Sequence, residues 1–249
     1  MIAPYYQKDN ITLYHGDCID ILPEIGSVDC LLTSPPYNMR TRIRNGQYTE
    51  RERGEHFSKK YDGFGDALSI EKYYEVHKKV IEQALLISPI SFINIQIVTG
   101  SKEAWFKLIG EFSKNLKDIV VWDKGFGQPA MHKKVLNRAS ELILIFESPA
   151  TAGRCIEHSN FERGTLSDIW RLGRGGKGAV KGHGAVFPET LPETILTNFT
   201  QEGDLIVDPF CGTGTSLIVA KKMNRKAIGI ELTGSFCELT VKRLEEVSI

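Results

Sequence analysis

No Cys-x-x-Cys pair occurs in the chain, and its five cysteines (Cys18, Cys30, Cys155, Cys211, Cys237) are odd in number and widely scattered. That pattern argues against a disulfide framework and a zinc site, and leaves free thiols in a reducing compartment. Long apolar runs are also missing: none reaches the length of a membrane span, and residues 1–10 are polar rather than basic and then apolar. No surplus of one charge exists either, with 31 Lys and Arg against 31 Asp and Glu, so any polyanion must be bound by local patches. Repeats and low-complexity tracts are absent. What remains is 249 residues, enough for one α/β domain with insertions and a sizeable core, expected to be soluble, cytoplasmic and independent of membranes.

Apolar stretches at 11–14, 28–33, 91–98, 118–122, 141–146, 204–208 and 226–230 read as strands. Between them, helical patterns run over 19–25, from Ser69 with Tyr73, Val76, Val80, Ala84 and Leu85 in register, and over 104–112, 188–198, 215–223 and 235–247. The alternation predicts an α/β domain with a mainly parallel sheet. The stretch 28–33 lacks apolar-polar alternation, as a central strand covered on both faces does. Pro35 and Pro36 cannot continue such a strand, so 34–37 falls at its carboxyl end. A Gly125-Phe126-Gly127 loop is expected between two of the strands. Two segments break the alternation. Residues 38–66 are polar and basic, with Arg40, Arg42 and Arg44, and suit a functional lid or a solvated insertion. Residues 148–184 are rich in glycine and arginine, including Arg171 and Arg174, and hold too few apolar residues for a core of their own.

Two motifs carry chemistry. In the first, Asp208-Pro209-Phe210-Cys211-Gly212-Thr213-Gly214-Thr215 turns from a strand into a helix, where Gly212 and Gly214 let the backbone approach a ligand and the helix offers free amides. A dinucleotide fingerprint needs a third glycine at position 217, where Leu217 stands. Glu231 ends the next strand, placed to accept hydrogen bonds from ribose hydroxyls, so the pair points to a nucleoside-containing cofactor. The glycines alone would fit an ordinary tight turn. The second motif, Thr33-Ser34-Pro35-Pro36-Tyr37, offers a side-chain oxygen, a prolyl carbonyl and an aromatic face. Two acceptors and a ring suit a planar substrate with an exocyclic amine; a proline-terminated strand with a packed tyrosine is the plainer alternative.

Together these motifs resemble those of the DNA amino-methyltransferases, which methylate adenine N6 or cytosine N4 with S-adenosylmethionine. The catalytic motif precedes the cofactor motif, an order similar to the β group of that family. The likeness runs from about residue 11 to the C-terminus, apart from the two insertions. It implies a class I methyltransferase fold, Rossmann-like and circularly permuted, with a seven-stranded sheet and one antiparallel strand, within a single catalytic domain over 1–249. It also implies a cofactor set of Asp17, Cys18, Thr33, His183, Phe187, Pro188, Asp208, Pro209, Phe210, Gly212, Gly214, Thr215 and Glu231, and no metal. Ser34, Pro35, Pro36 and Tyr37 become the catalytic residues, acting on a base flipped out of double-stranded DNA. Arg40, Arg42, Arg44, Trp170, Arg171 and Arg174 become DNA contacts, with 148–184 as the target-recognition insertion. Serine before the two prolines puts cytosine N4 ahead of adenine N6. A homodimer and a cognate restriction endonuclease are partners compatible with this family. Rival readings are an RNA or protein-glutamine methyltransferase, which places the two motifs in the opposite order, an inactive DNA-binding relative, and a nicotinamide enzyme, which Leu217 disfavours.

Overall fold

The structure is a computed structural model that describes residues 2–38, 41–44, 47–50, 68–128, 133–173 and 188–247. The calls on Arg40, Arg174, His183 and Phe187 lie outside the described residues, as do the side chains of Arg42 and Arg44.

In chain order the elements are β1 (Tyr6–Lys8), β2 (Ile11–His15), α1 (Cys18–Ile21) with a 3-10 turn at Leu22–Glu24, β3 (Cys30–Thr33), β4 (Thr41–Arg44), β5 (Gln47–Glu50), α2 (Ile70–Ile87), β6 (Ile90–Ile95), α3 (Lys102–Glu111), β7 (Leu116–Gln128), β8 (Arg138–Glu147), β9 (Ile169–Arg171), α4 (Thr190–Phe199), β10 (Leu205–Asp208), α5 (Thr215–Lys222), β11 (Lys226–Glu231) and α6 (Gly234–Glu246). Among the described residues no helix is long and apolar enough to cross a membrane.

Among the described residues nine strands form one sheet in the order β1-β2-β11-β10-β3-β6-β8-β7-β9, and β4 pairs with β5 separately. The run β2, β11, β10, β3, β6 is parallel, while β8 lies antiparallel between β6 and β7. The expected seven strands with one antiparallel member are all present from β2 to β7, and β1 and β9 extend the sheet to nine. Each added strand has three residues, too few for a periodic signal. The β1–β2 turn is set by Asp9 and Asn10, both at positive φ (52° and 62°), the backbone that two-residue hairpins prefer. Gly125 to Gly127, expected as a loop, lies inside β7, with a register shift against β8 between Asp123 and Gln128.

Period-two alternation divides the core between the two sheet faces. On β3, Leu32 packs on one face with Leu191 and Ile195 of α4 and Leu217 of α5. Its neighbour Leu31 packs on the other with Val80 and Ala84 of α2. β3 and β6 are buried along their whole length, as central strands covered on both faces are, with Ser91 and Asn94 the polar members of β6. Side-chain caps mark two of the helix starts. Asp17 accepts from the Ile19 amide at 2.9 Å to cap α1, and Ser69 accepts from the Lys72 amide at 3.1 Å to cap α2.

The connection from β10 through α5 leads to β11 over one face, while that from β3 through α2 leads to β6 over the other. Adjacent strands β10 and β3 therefore send their chains in opposite directions, and a crevice opens at their carboxyl ends.

The 148–173 segment uses the domain's core rather than building its own. Ile156, Phe161, Leu166 and Leu172 pack against the α4 face, and the Glu147 carboxylate accepts from the Glu157 amide at 2.7 Å.

Candidate active site

At the β10–β3 crevice the two motifs touch. The Thr33 hydroxyl donates to Asp208 Oδ1 at 2.7 Å, the Ser216 hydroxyl donates to Oδ2 at 2.5 Å, and the Phe210 amide donates to Oδ1 at 3.1 Å. Burial pushes the Asp208 carboxyl up to about 6, against the pull of those donors. Past Asp208 the chain turns through Gly212 and Gly214 at positive φ (54° and 75°) into α5. A side chain at Gly214 would strike Thr240 Cγ2 at 2.4 Å, whereas one at Gly212 would meet nothing within 4 Å. Gly214 is thus demanded by packing, and Gly212 leaves open space beside its backbone.

Glu231 spans the loop mouth. Its Oε2 accepts from the Gly212 amide at 2.9 Å and its Oε1 from the Thr233 amide at 2.7 Å, and burial raises its pKa against those two bonds. The Gly16 amide donates to the Glu231 carbonyl at 2.9 Å, which brings the Asp17 turn to the same rim. Asp17 itself is exposed, Cys18 is buried in α1, and Pro188 is buried just before α4. Leu217, where a dinucleotide site would have glycine, packs against Gly229, whose own Cβ would lie 2.7 Å from Leu217 Cδ2. Cys211 is a buried residue of the turn, its thiol pushed well up by burial.

Across the crevice, Ser34, Pro36 and Tyr37 are half-buried and Pro35 is buried. The Tyr73 hydroxyl of α2 donates to the Pro36 carbonyl at 2.7 Å and pins the loop. Asn38 closes the base of the following segment. At φ 54° it bonds the Leu68 backbone in both directions (3.1 and 2.8 Å) and the Gly100 carbonyl at 2.8 Å.

Three residues of this site escape the sequence motifs. The Tyr37 hydroxyl donates to Glu141 Oε2 of β8 at 2.7 Å. The Asn94 amide of β6 donates to the same oxygen at 2.8 Å and lies 3.2 Å from both Ser34 Oγ and the Tyr37 hydroxyl. Lys124 of β7 donates to Glu141 Oε1 at 2.9 Å, with Lys124 7% and Glu141 9% exposed. An acid and a lysine in separate strands carry no spacing signal; burial of both is what marks them.

Trp170 corrects an expectation. It is 4% exposed within the α4-face core, and its indole donates to the Ser167 carbonyl at 2.8 Å, so its ring offers no face to a nucleic acid. A cavity of about 340 Å³ bordered by Trp170, Val120, Ile145, Phe161 and Phe199 lies against that face, away from the crevice. Arg171 is exposed at the sheet edge, 3.9 Å from Asp123.

A strand-order switch, a glycine turn capped by an acid and a facing polar-aromatic loop define a class I methyltransferase architecture. Comparison with known proteins agrees. The PvuII DNA methyltransferase, described as cytosine-N4-specific, superposes with a TM-score of 0.74 at 18% identity over 99% of this chain and 91% of its own. M1.HpyAVI in a SAM complex gives a TM-score of 0.61 at 20% identity, covering 94% and 100%. Among curated sequences, the type II methyltransferase M2.LlaDCHI of Lactococcus lactis subsp. cremoris is 26% identical over 99% of this chain and 93% of its own length. M.HinfI of Haemophilus influenzae is 29% identical over 96% and 71%. The N6/N4 DNA methylase family matches residues 28–242, and the chain belongs to that family.

Proposed function

We propose that the chain transfers a methyl group from S-adenosylmethionine to the exocyclic amine of a base flipped out of double-stranded DNA, with cytosine N4 ahead of adenine N6. The observation that supports the reading is the Thr33–Asp208 hydrogen bond at 2.7 Å, which joins the strand end before the Gly212–Gly214 turn to the one before the Ser34–Tyr37 loop.

The residues present fit the cofactor. Asp208 and Glu231 put two buried carboxyls beside an open Gly212 backbone, a set suited to a ligand carrying positive charge and ribose hydroxyls. When bound, S-adenosylmethionine supplies a sulfonium methyl to an amine nucleophile. On the other wall, Ser34 Oγ and the Pro35 carbonyl accept the amine hydrogens, and the Tyr37 ring stacks on the base. Holding the amine by its hydrogens leaves its lone pair directed at the methyl, so the chain acts by positioning. No cysteine nucleophile takes part; Cys211 is buried with a raised thiol pKa.

Cytosine is favoured by Ser34 before the two prolines and by the description of the PvuII enzyme. DNA contacts fall to Arg171 and to the basic stretch of Arg40, Arg42 and Arg44 that follows the catalytic loop, with residues 148–184 reading the target. Two further partners belong to the proposal: a second copy of this chain, tested by light scattering, and a cognate restriction endonuclease, tested by protection of methylated DNA. The central test is incubation with S-adenosylmethionine and mixed-sequence DNA, followed by nucleoside mass spectrometry and mapping of modified bases. N4-methylcytosine is expected. N6-methyladenine alone would overturn the base assignment, and no DNA methylation with intact cofactor binding would overturn the substrate.

A further inference from the structure

We propose that the buried Lys124–Glu141 pair sets the hydrogen-bond polarity of the transfer site, making Glu141 a positioning residue for the target amine; this rests on reading Ser34 to Tyr37 as the base pocket. Burying two charges costs more than a packed apolar pair would, so stability alone does not call for the pair. Its consequence follows from counting hydrogens. Lys124 supplies donors, and the Glu141 carboxylate, in ion pair with it at 2.9 Å, accepts. Glu141 Oε1 takes Lys124 at 2.9 Å, so Oε2 is the oxygen that faces Tyr37 and Asn94, at 2.7 and 2.8 Å.

The phenol has one hydrogen, and Glu141 receives it. Towards Ser34, 3.4 Å away, the Tyr37 oxygen is then an acceptor, which turns the serine hydrogen to Tyr37. The second Asn94 Nδ2 hydrogen lies between Ser34 Oγ and the Tyr37 oxygen, both at 3.2 Å, so it fills at most one serine lone pair. The second lone pair is left as an acceptor for the substrate. Ser34 is thereby held in the form that receives an N–H, which selects a base edge bearing an amine over one bearing a carbonyl. The signal passes from β7 and β8 to Ser34, in the loop after β3, through Lys124, Glu141 and Tyr37, of which only Tyr37 belongs to a sequence motif.

Glu141→Gln tests the relay at constant volume. Lys124 will draw the glutamine oxygen and turn its amide hydrogens on Tyr37, which reverses the polarity at Ser34. The expected result is a kcat about 10- to 100-fold lower, with the DNA KM and cofactor affinity by calorimetry close to wild type. Tyr37→Phe, which keeps the ring and the ion pair but removes the phenol bond, should lose kcat to a similar degree. Lys124→Met/Glu141→Leu, with neither a buried charge nor an acceptor for Tyr37, serves if the single glutamine variant does not fold. Full activity in Tyr37→Phe, or in whichever Glu141 variant folds, overturns the inference. So does a parallel loss of cofactor affinity and thermal stability, which would mark a structural role alone. A wild-type chain that binds cofactor and methylates no DNA would instead overturn the functional reading.

Discussion

Thr33 Oγ1 donates to Asp208 Oδ1 at 2.7 Å, joining side chains 175 residues apart in sequence. Thr33 ends β3 immediately before the Ser34–Tyr37 loop, and Asp208 ends β10 immediately before the glycine turn, so this hydrogen bond joins the two motifs at the ends of strands already paired in parallel. The acid is also a titration device. Its native pKa of about 6 lies above its ordinary 3.8, so between those values the folded chain holds a proton that the unfolded chain has released. The contribution is full below about pH 4 and is lost as pH rises to about 6, amounting to about 3 kcal/mol at the usual value per pKa unit. His77 runs the other way: burial lowers it to about 4, so its contribution is lost as pH falls from 6.5. Asp208→Asn should remove the first slope and leave the second. Urea midpoints from pH 4 to 7 check this, and the wild-type minus variant difference must fall as pH rises.

Gly212 and Gly214 share positive φ but should respond differently to alanine. At Gly214 the added methyl meets Thr240 Cγ2 at 2.4 Å, so Gly214→Ala should cost about 2–4 kcal/mol from left-handed strain and overpacking together. Thr240→Ser in the same chain removes that methyl and should return part of the loss. At Gly212 only the backbone strain applies, about 1–2 kcal/mol, but the methyl enters the space expected to hold cofactor. Denaturant unfolding and calorimetry together separate the two cases.

Adjacent residues of β9 give an equally sharp contrast. Trp170→Ala empties a core position and should cost about 3–5 kcal/mol in stability. Arg171→Ala should leave stability within about 0.5 kcal/mol, while weakening DNA binding and lowering its salt dependence by about one phosphate contact. Binding isotherms at several salt concentrations measure the latter.

The parallel part of the sheet was legible because its strands are rich in apolar residues and covered by helices, with β3 stopping short of Pro35 and β10 at Asp208. Thr33, Ser34, Tyr37, Asp208, Gly212 and Glu231 were legible as candidates for one crevice because strand ends and turns demand particular residues at particular offsets. Lys124, Asn94 and Glu141 were not. Their meaning depends on three strands lying side by side, and β8 enters the sheet out of chain order. Trp170 failed for a related reason: an aromatic beside an arginine reads alike on a core-facing strand and on a nucleic-acid surface. The Gly125-Phe126-Gly127 loop was misread because a bulged edge of a long strand carries the same glycines as a turn.

Tyr37 and Glu231 lie on opposite walls of the crevice, and altering each should separate turnover from cofactor binding. Tyr37→Ala removes a stacking face and the donor to Glu141 while leaving the Gly212 turn untouched, so kcat should fall about 10- to 100-fold with cofactor affinity within about twofold of wild type. Glu231→Gln keeps the side-chain length but replaces two accepting oxygens with one. Either the Gly212 amide or the Thr233 amide then faces an NH2 group, and the loop mouth loosens. Cofactor affinity should drop about tenfold, through the lost charged acceptor, while kcat at saturating cofactor stays within about threefold. Calorimetry gives the first quantity and labelled-methyl transfer the second. Equal losses of both quantities in both variants would mean that the two walls are not divided between cofactor and base.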